Sequence, residues 1–124
     1  MSNETRATAA VMDYVTRCGL DRFSSEAVSL AKQCIIDGLG VILAGSAAKG
    51  TGIVRDYVRA GKETGESTAL GGDPFTCRPA SAALINGTAG HALDFDDTQL
   101  SSSPDRIFGL LTHPTIPPLA ASLA

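Results

Sequence analysis

The chain has 124 residues, of which 44% are hydrophobic, only 5% are aromatic and none is Trp. That allows one domain with an aliphatic, alanine-rich core, a composition suited to closely packed helices. The formal net charge of -3 and the absence of any basic run exclude the electrostatic footprint of a nucleic-acid binder.

Cys18, Cys34 and Cys77 lie far apart with no C-x-x-C pair, which predicts free thiols and a cytoplasmic setting. The start, "MSNETRATAA", lacks the apolar core of a signal peptide. From about Thr5 to Cys18, the residues Val11, Tyr14, Val15 and Cys18 recur at helical spacing. Ser2 or Asn3 is the expected cap, and Gly19 the expected left-handed terminator. "LDRFSS" reads as a loop in which Ser24 or Ser25 caps a second helix, "EAVSLAKQCIIDGLGVILAG". Val28, Ala31, Ile35, Leu39 and Ile42 line one side of it, and Val41 and Leu43 widen the apolar surface, which predicts a buried helix. Its stretch "CIIDGLGVILAG" is interrupted by Asp37 and too short for a bilayer, so no membrane association is expected. Gly38 and Gly40 predict close approach of a neighbouring helix.

"SAAKGTG" reads as a turn, and "IVRDYVRAGK" as a short helix with Ile53, Val54, Tyr57 and Val58 inward and Gly61 at its end. "ESTALGGD" is a short strand or an extended connection. Pro79 suits the first turn of a fourth helix running through "ASAALINGTAGHALDF", small-residue-rich on several faces and therefore central. Residues 99–112 read as a loop. "HPTIPPLAASLA" begins a last helix with Thr115 as cap, and the chain stops inside that apolar run, the pattern of a truncated domain. The fold class is all-α, an irregular helical bundle.

The chemistry concentrates in "HALDFDDTQL". If the fourth helix continues, Asp94 shares a face with Asp97 and Thr98, with His91 a turn earlier, while Asp96 points elsewhere as a solvated or capping carboxylate. Carboxylates at a helix C-terminus meet the unfavourable end of its dipole and repel one another, a cost that suits a site separating an acid from a base. Acidic residues at helix ends also commonly just cap the next segment, and a lone histidine is commonly a packed one. Three aspartates allow a second reading, a Mg²⁺ enzyme of the prenyl-transfer type, but the basic residues and second acidic cluster that such chemistry needs are not found. A third reading is a non-catalytic helical interaction module.

"SAALINGTAGHALDFDDT", followed by "THP" and a proline-rich helix start, resembles the MmgE/PrpD family, which includes 2-methylcitrate dehydratase, cis-aconitate decarboxylase and iminodisuccinate epimerase. "AKQCIIDGLGVILAG" is similar to that family's second helix. The resemblance implies a large helical domain beside a smaller lid domain, usually in a homodimer, and action on a small polycarboxylate without metal or organic cofactor. It places Asp94, Thr98 and His113 in the active site. His113 is expected to transfer the proton, with Asp94 orienting it or accepting a substrate hydroxyl and Thr98 donating a hydrogen bond. His91 and Arg106 are candidate substrate contacts. The long segment between Thr98 and His113 departs from the decarboxylase pattern, and a hydro-lyase like 2-methylcitrate dehydratase is the expected activity. The family's chains are several-fold longer, and their lid and further cationic residues lie beyond position 124. Residues 1–124 therefore read as a partial N-terminal helical domain, inactive in isolation.

Overall fold

The computed structural model describes residues 3–99 and 112–124, with side chains from Arg6 onward. Among them the chain is mostly helical: α1 (Asn3–Arg17), α2 (Ser25–Gly45), α3 (Lys49–Ala60), α4 (Pro79–His91) and α5 (Ile116–Ser122), with one small hairpin of β1 (Ser67–Ala69) and β2 (Phe75–Cys77). Two compact units divide within α2, one up to Lys32 and one from Gln33 to Ala124.

In the first unit, α1 is held by its own backbone and by an Arg17–Asp13 pair of 2.7 Å one turn apart. Ser2 lies outside the described residues, as does the side chain of Asn3. Of the residues at helical spacing, Val11 is 61% and Val15 66% exposed. Gly19 is not left-handed: at φ -87° and ψ 166° it is extended, leading into a single 3-10 turn at Leu20–Arg22. Ser24 caps α2 as its position predicts, its Oγ accepting the Ala27 N–H at 3.1 Å.

The second unit is organised around α4, whose Ala, Gly and Ile positions serve two apolar clusters. Ala82 and Ile85 pack with Val58, Ala69 and Cys77. One turn further on, Ala89 packs with Ile42 of α2 and Ile116 of α5. Small residues set the spacing of these helices. A Cβ on Gly45 would stand 1.9 Å from the Ala89 carbonyl oxygen, and one on Gly38 would meet Leu119 at 2.6 Å. Gly38 thus makes the close approach expected of it, whereas Gly40 faces nothing within 4 Å.

The expectation of an α2 buried over most of its circumference fails among the described residues. Only Gly38, Ile42 and Gly45 are buried in it, and Ile36 is 70% exposed. The 12 apolar-rich residues judged too short for a bilayer also belong to a 21-residue helix that meets the length and composition of a membrane span, a test that core helices pass as well.

Along α3 the buried stripe is Thr51, Arg55 and Val58, while the expected inward residues Ile53 and Tyr57 are exposed. The polar members are buried because each satisfies a carbonyl. Thr51 Oγ1 donates to Gly45 O at 2.9 Å. Arg55 Nη1 donates to Leu70 O at 2.9 Å and Nη2 to Asp73 O, with the guanidinium over the Phe75 ring. Gly61 is helical (φ -68°), and the positive φ falls on Lys62 instead.

"ESTALGGD" does enter a strand, pairing antiparallel with β2 in the register Ser67 to Cys77 and Ala69 to Phe75. The turn needs glycine at Gly71, where φ is +75° and a Cβ would meet Ser46. Asn86 of α4, fully buried, extends the pairing: its Oδ1 accepts Leu70 N–H at 2.9 Å and its Nδ2 donates to Thr68 O at 3.0 Å. A buried side-chain amide thus stands in for a third strand.

The two helical glycines of α2 give opposite expectations. Gly45→Ala should lose about 1–3 kcal/mol of unfolding free energy because backbone must shift. Gly40→Ala, unobstructed, should gain up to about 1 kcal/mol from helix propensity. Urea unfolding followed by far-UV circular dichroism reads both, and equal effects would contradict the packing of α2 on α4.

Candidate active site

α4 stops at His91, and this decides the geometry of the aspartates. Ala92 N–H closes a tight turn on Ala89 O at 3.3 Å, and Asp94 N–H on His91 O at 3.1 Å. Asp94 itself is left-handed, with φ +56°. Aspartate tolerates that region better than most residues, and a left-handed residue cannot continue a right-handed helix. The expected common face of Asp94, Asp97 and Thr98 therefore does not form. A further turn would have stacked more carboxylates on the negative end of the α4 dipole, and the chain turns away there.

The turn sends the three carboxylates to different places. Asp94 is exposed. Asp97 leans toward α5: its Oδ1 accepts Thr115 N–H at 3.2 Å and its Oδ2 accepts the Thr115 hydroxyl at 2.6 Å. Thr115 holds the N-cap position of α5 but makes no side-chain cap bond there. The next two helical residues after Ile116 are Pro117 and Pro118, which have no N–H to donate to it, so the hydroxyl is free to serve Asp97.

Asp96, expected to be solvated or capping, is the buried one. Its side chain is 1% exposed and lies between two imidazoles. His91 Nδ1 stands 3.0 Å from Oδ1 and 3.3 Å from Oδ2. His113 Nδ1 stands 3.0 Å from Oδ2, and it is buried without a hydrogen-bond partner. The rings meet edge to face with centroids 4.5 Å apart. A paired backbone contact fixes the second histidine: Gln99 N–H donates to Thr112 O at 2.8 Å, immediately before His113. Burying a carboxylate without partners is costly, and the hydrogen-bonded His91 imidazole, with the His113 ring beside it, makes this position tenable.

Both histidines and Asp96 line a hollow of about 520 Å³, with Thr112, Ile116 and Pro117 completing much of its wall. That is the size of a small-molecule site, mostly apolar with a few convergent polar groups. Of the residues expected to act, His91 and His113 reach this hollow. Asp94 brings a carboxylate oxygen to within 4.8 Å of the ligand atoms of His91, Asp96 and His113. Thr98 is exposed and is not part of the wall. Arg106 lies outside the described residues. Asp96 is the residue that helical spacing passed over. Its signal was the histidine on either side, five residues before it and 17 after it in the sequence.

His91, Asp94, Asp96 and His113 are also the group that could gather around a cation. The Nδ1 atoms of both rings, however, already face Asp96 at hydrogen-bonding distance, which accounts for their placement. The hydrogen bond to Asp96 holds the His91 imidazolium above its ordinary pKa, helped by the charges of Asp96 and Asp94 and opposed by slight desolvation. Its place in the last turn of α4 favours the charged ring in the same sense.

Comparison with known proteins places these residues in context. The sequence profile described as the MmgE/PrpD N-terminal domain matches residues 9–107. Over 68 residues the chain is 37% identical to cis-aconitate decarboxylase of Mus musculus, a match covering 55% of this chain and 14% of that protein. No solved structure matches.

The raised His91 pKa has a definite consequence for stability. Its contribution is fully present below the unfolded value of about 6.5 and is lost as pH rises through the folded value. Melting temperature should therefore decline over that window, and Asp96→Asn should flatten the decline. Ring-proton NMR should show His91 titrating above about 6.5; titration at or below that value contradicts the contact.

Proposed function

The chain belongs to the MmgE/PrpD family, and from that premise we propose that the hollow at His91, Asp96 and His113 is part of a lyase site for a small polycarboxylate. The chemistry proposed is that of a hydro-lyase resembling 2-methylcitrate dehydratase. The observation that carries this reading is the convergence of two imidazoles on the wall of one hollow. Eliminating water next to a carboxylate needs a base to take the carbon proton and an acid to protonate the departing hydroxyl. Two adjacent imidazoles supply both roles near neutral pH, whereas loss of CO₂ calls only for a proton donor at the resulting carbanion. Two proton carriers therefore favour dehydration over decarboxylation.

His113, on the less exposed ring, is assigned the proton abstraction, and His91, whose cationic form is favoured, the role of acid. Asp94, whose carboxylate comes near both rings, is assigned a substrate hydroxyl. A polycarboxylate also needs cationic partners. Among the described residues the wall of the hollow holds no Lys or Arg. The remaining cations are proposed to come from parts of a family-length protein that this chain, matching 14% of its relative, does not span. The isolated chain is accordingly proposed to be inactive, and the complete protein to act as a cytoplasmic homodimer.

A chimera in which this chain replaces the matching segment of a 2-methylcitrate dehydratase tests the assignment. It should dehydrate 2-methylcitrate, the chain alone should not, and His113→Ala in the chimera should lower kcat by about 100-fold or more. Undiminished turnover in that variant would refute the role of His113. Release of CO₂ from cis-aconitate without dehydration would refute the hydro-lyase assignment.

A further inference from the structure

The carboxylate of Asp96 has acceptors only, two oxygens with room for more than one donor each. The oxygen pair faces both Nδ1 atoms: His91 Nδ1 is hydrogen-bonded at 3.0 Å, and His113 Nδ1, the buried nitrogen without a hydrogen bond, stands 3.0 Å from Oδ2, while the Asp96 side chain is 1% exposed. A neutral imidazole carries one N–H, and the nitrogen facing an acceptor-only group is the one that must carry it. The remaining nitrogen of each ring is then bare.

We propose that Asp96 is a positioning residue for both histidines at once, an inference that rests on the reading of this hollow as an acid–base site. Its single carboxylate accepts the Nδ1–H of His91 and of His113, and so presents two Nε2 atoms as the proton-carrying atoms of the site. In an elimination the Nε2 of one ring takes the proton from carbon. The C–H electron pair becomes the new C=C bond as the C–O bond breaks, and the other ring, present as the imidazolium, gives its Nε2 proton so that hydroxide leaves as water and that ring ends neutral. Protons and electrons balance within the pair, and Asp96 keeps both Nδ1–H bonds throughout. Among the described residues Asp94 is the other acidic group gathered near the rings, and it carries no such constraint, since it is exposed on a left-handed turn.

The amide replacement is diagnostic. Asn at this position offers one acceptor and one donor where the carboxylate offers two acceptors. It can hold one ring as Nδ1–H, but it must drive the other to Nε2–H, with its bare Nδ1 accepting from the amide. Histidine-selective ¹⁵N NMR on this chain at alkaline pH, where the rings are neutral, reads the tautomers directly. The expected result is Nδ1–H on both rings in the unchanged chain, and one ring converted to Nε2–H in Asp96→Asn. Either ring found as Nε2–H in the unchanged chain would overturn the proposal. So would two unchanged rings in Asp96→Asn, or a stoichiometric metal ion bound at the Nδ1 atoms of the purified chain. Should Asp96→Asn fail to fold by circular dichroism, the unchanged chain alone decides.

In the chimera described above, Asp96→Asn should cut kcat by about 10- to 100-fold with KM little altered, and an unaltered kcat beside a converted tautomer would overturn the positioning role. The tautomer readout involves no turnover, so its failure is separable from failure of the lyase assignment, which His113→Ala reads.

Discussion

A carboxylate taken out of water has to be met by partners, and Asp96 is flanked by two imidazoles from separate parts of the chain, hydrogen-bonded to His91 and 3.0 Å from His113 Nδ1. Much of the local structure follows from that requirement. His91 must end its helix, so that the chain can fold back and bring a residue five positions on to its ring. The left-handed Asp94 makes the reversal within the shortest possible turn. His113 has to arrive from beyond Gln99, and the backbone pairing of Gln99 with Thr112 delivers it. Asp97 then ties the outgoing strand of this turn to Thr115, at the start of the helix whose Ile116 packs on Ala89.

The same logic runs through the rest of the second unit, where buried polar groups are placed by what they can satisfy. Arg55 serves the carbonyls of the hairpin turn and Asn86 serves both a donor and an acceptor beside β1. Each joins a helix to the hairpin, while apolar contacts of Ala82, Ile85 and Ala89 supply the burial. Such groups act as registers: a hydrophobic surface can slide, but an amide bonded to Leu70 N and Thr68 O admits only one alignment.

Local signals in the sequence marked the elements well. The Ser24 cap, the proline opening α4 and the small residues that made α4 central correspond to what the fold shows. Burial was less legible. Periodicity in α1 and α2 says which residues would be covered if something covered them, and the described residues leave Val11, Val15 and Ile36 open. On α3 the pattern favoured Ile53 and Tyr57, and the polar stripe of Thr51 and Arg55 won because distant carbonyls needed its donors. At the site, helical spacing joined Asp94 to Thr98, but spacing works only while a helix lasts. The partnership of Asp96 with His91 and His113 spans a turn and a long excursion, and no local period encodes it. Motif resemblance led to the family, since it compares whole residue patterns and needs no helix to persist.

The pairing of Gln99 with Thr112 ties together two points 13 residues apart in the sequence. Just past it, His113 stands beside Asp96 and Thr115 is bonded to Asp97. Closure entropy grows only slowly with the number of residues between two joined points, roughly 0.6 kcal/mol per doubling. Insertions or deletions between these two anchors would therefore cost little, and the register of His113 against Asp96 would outlast them.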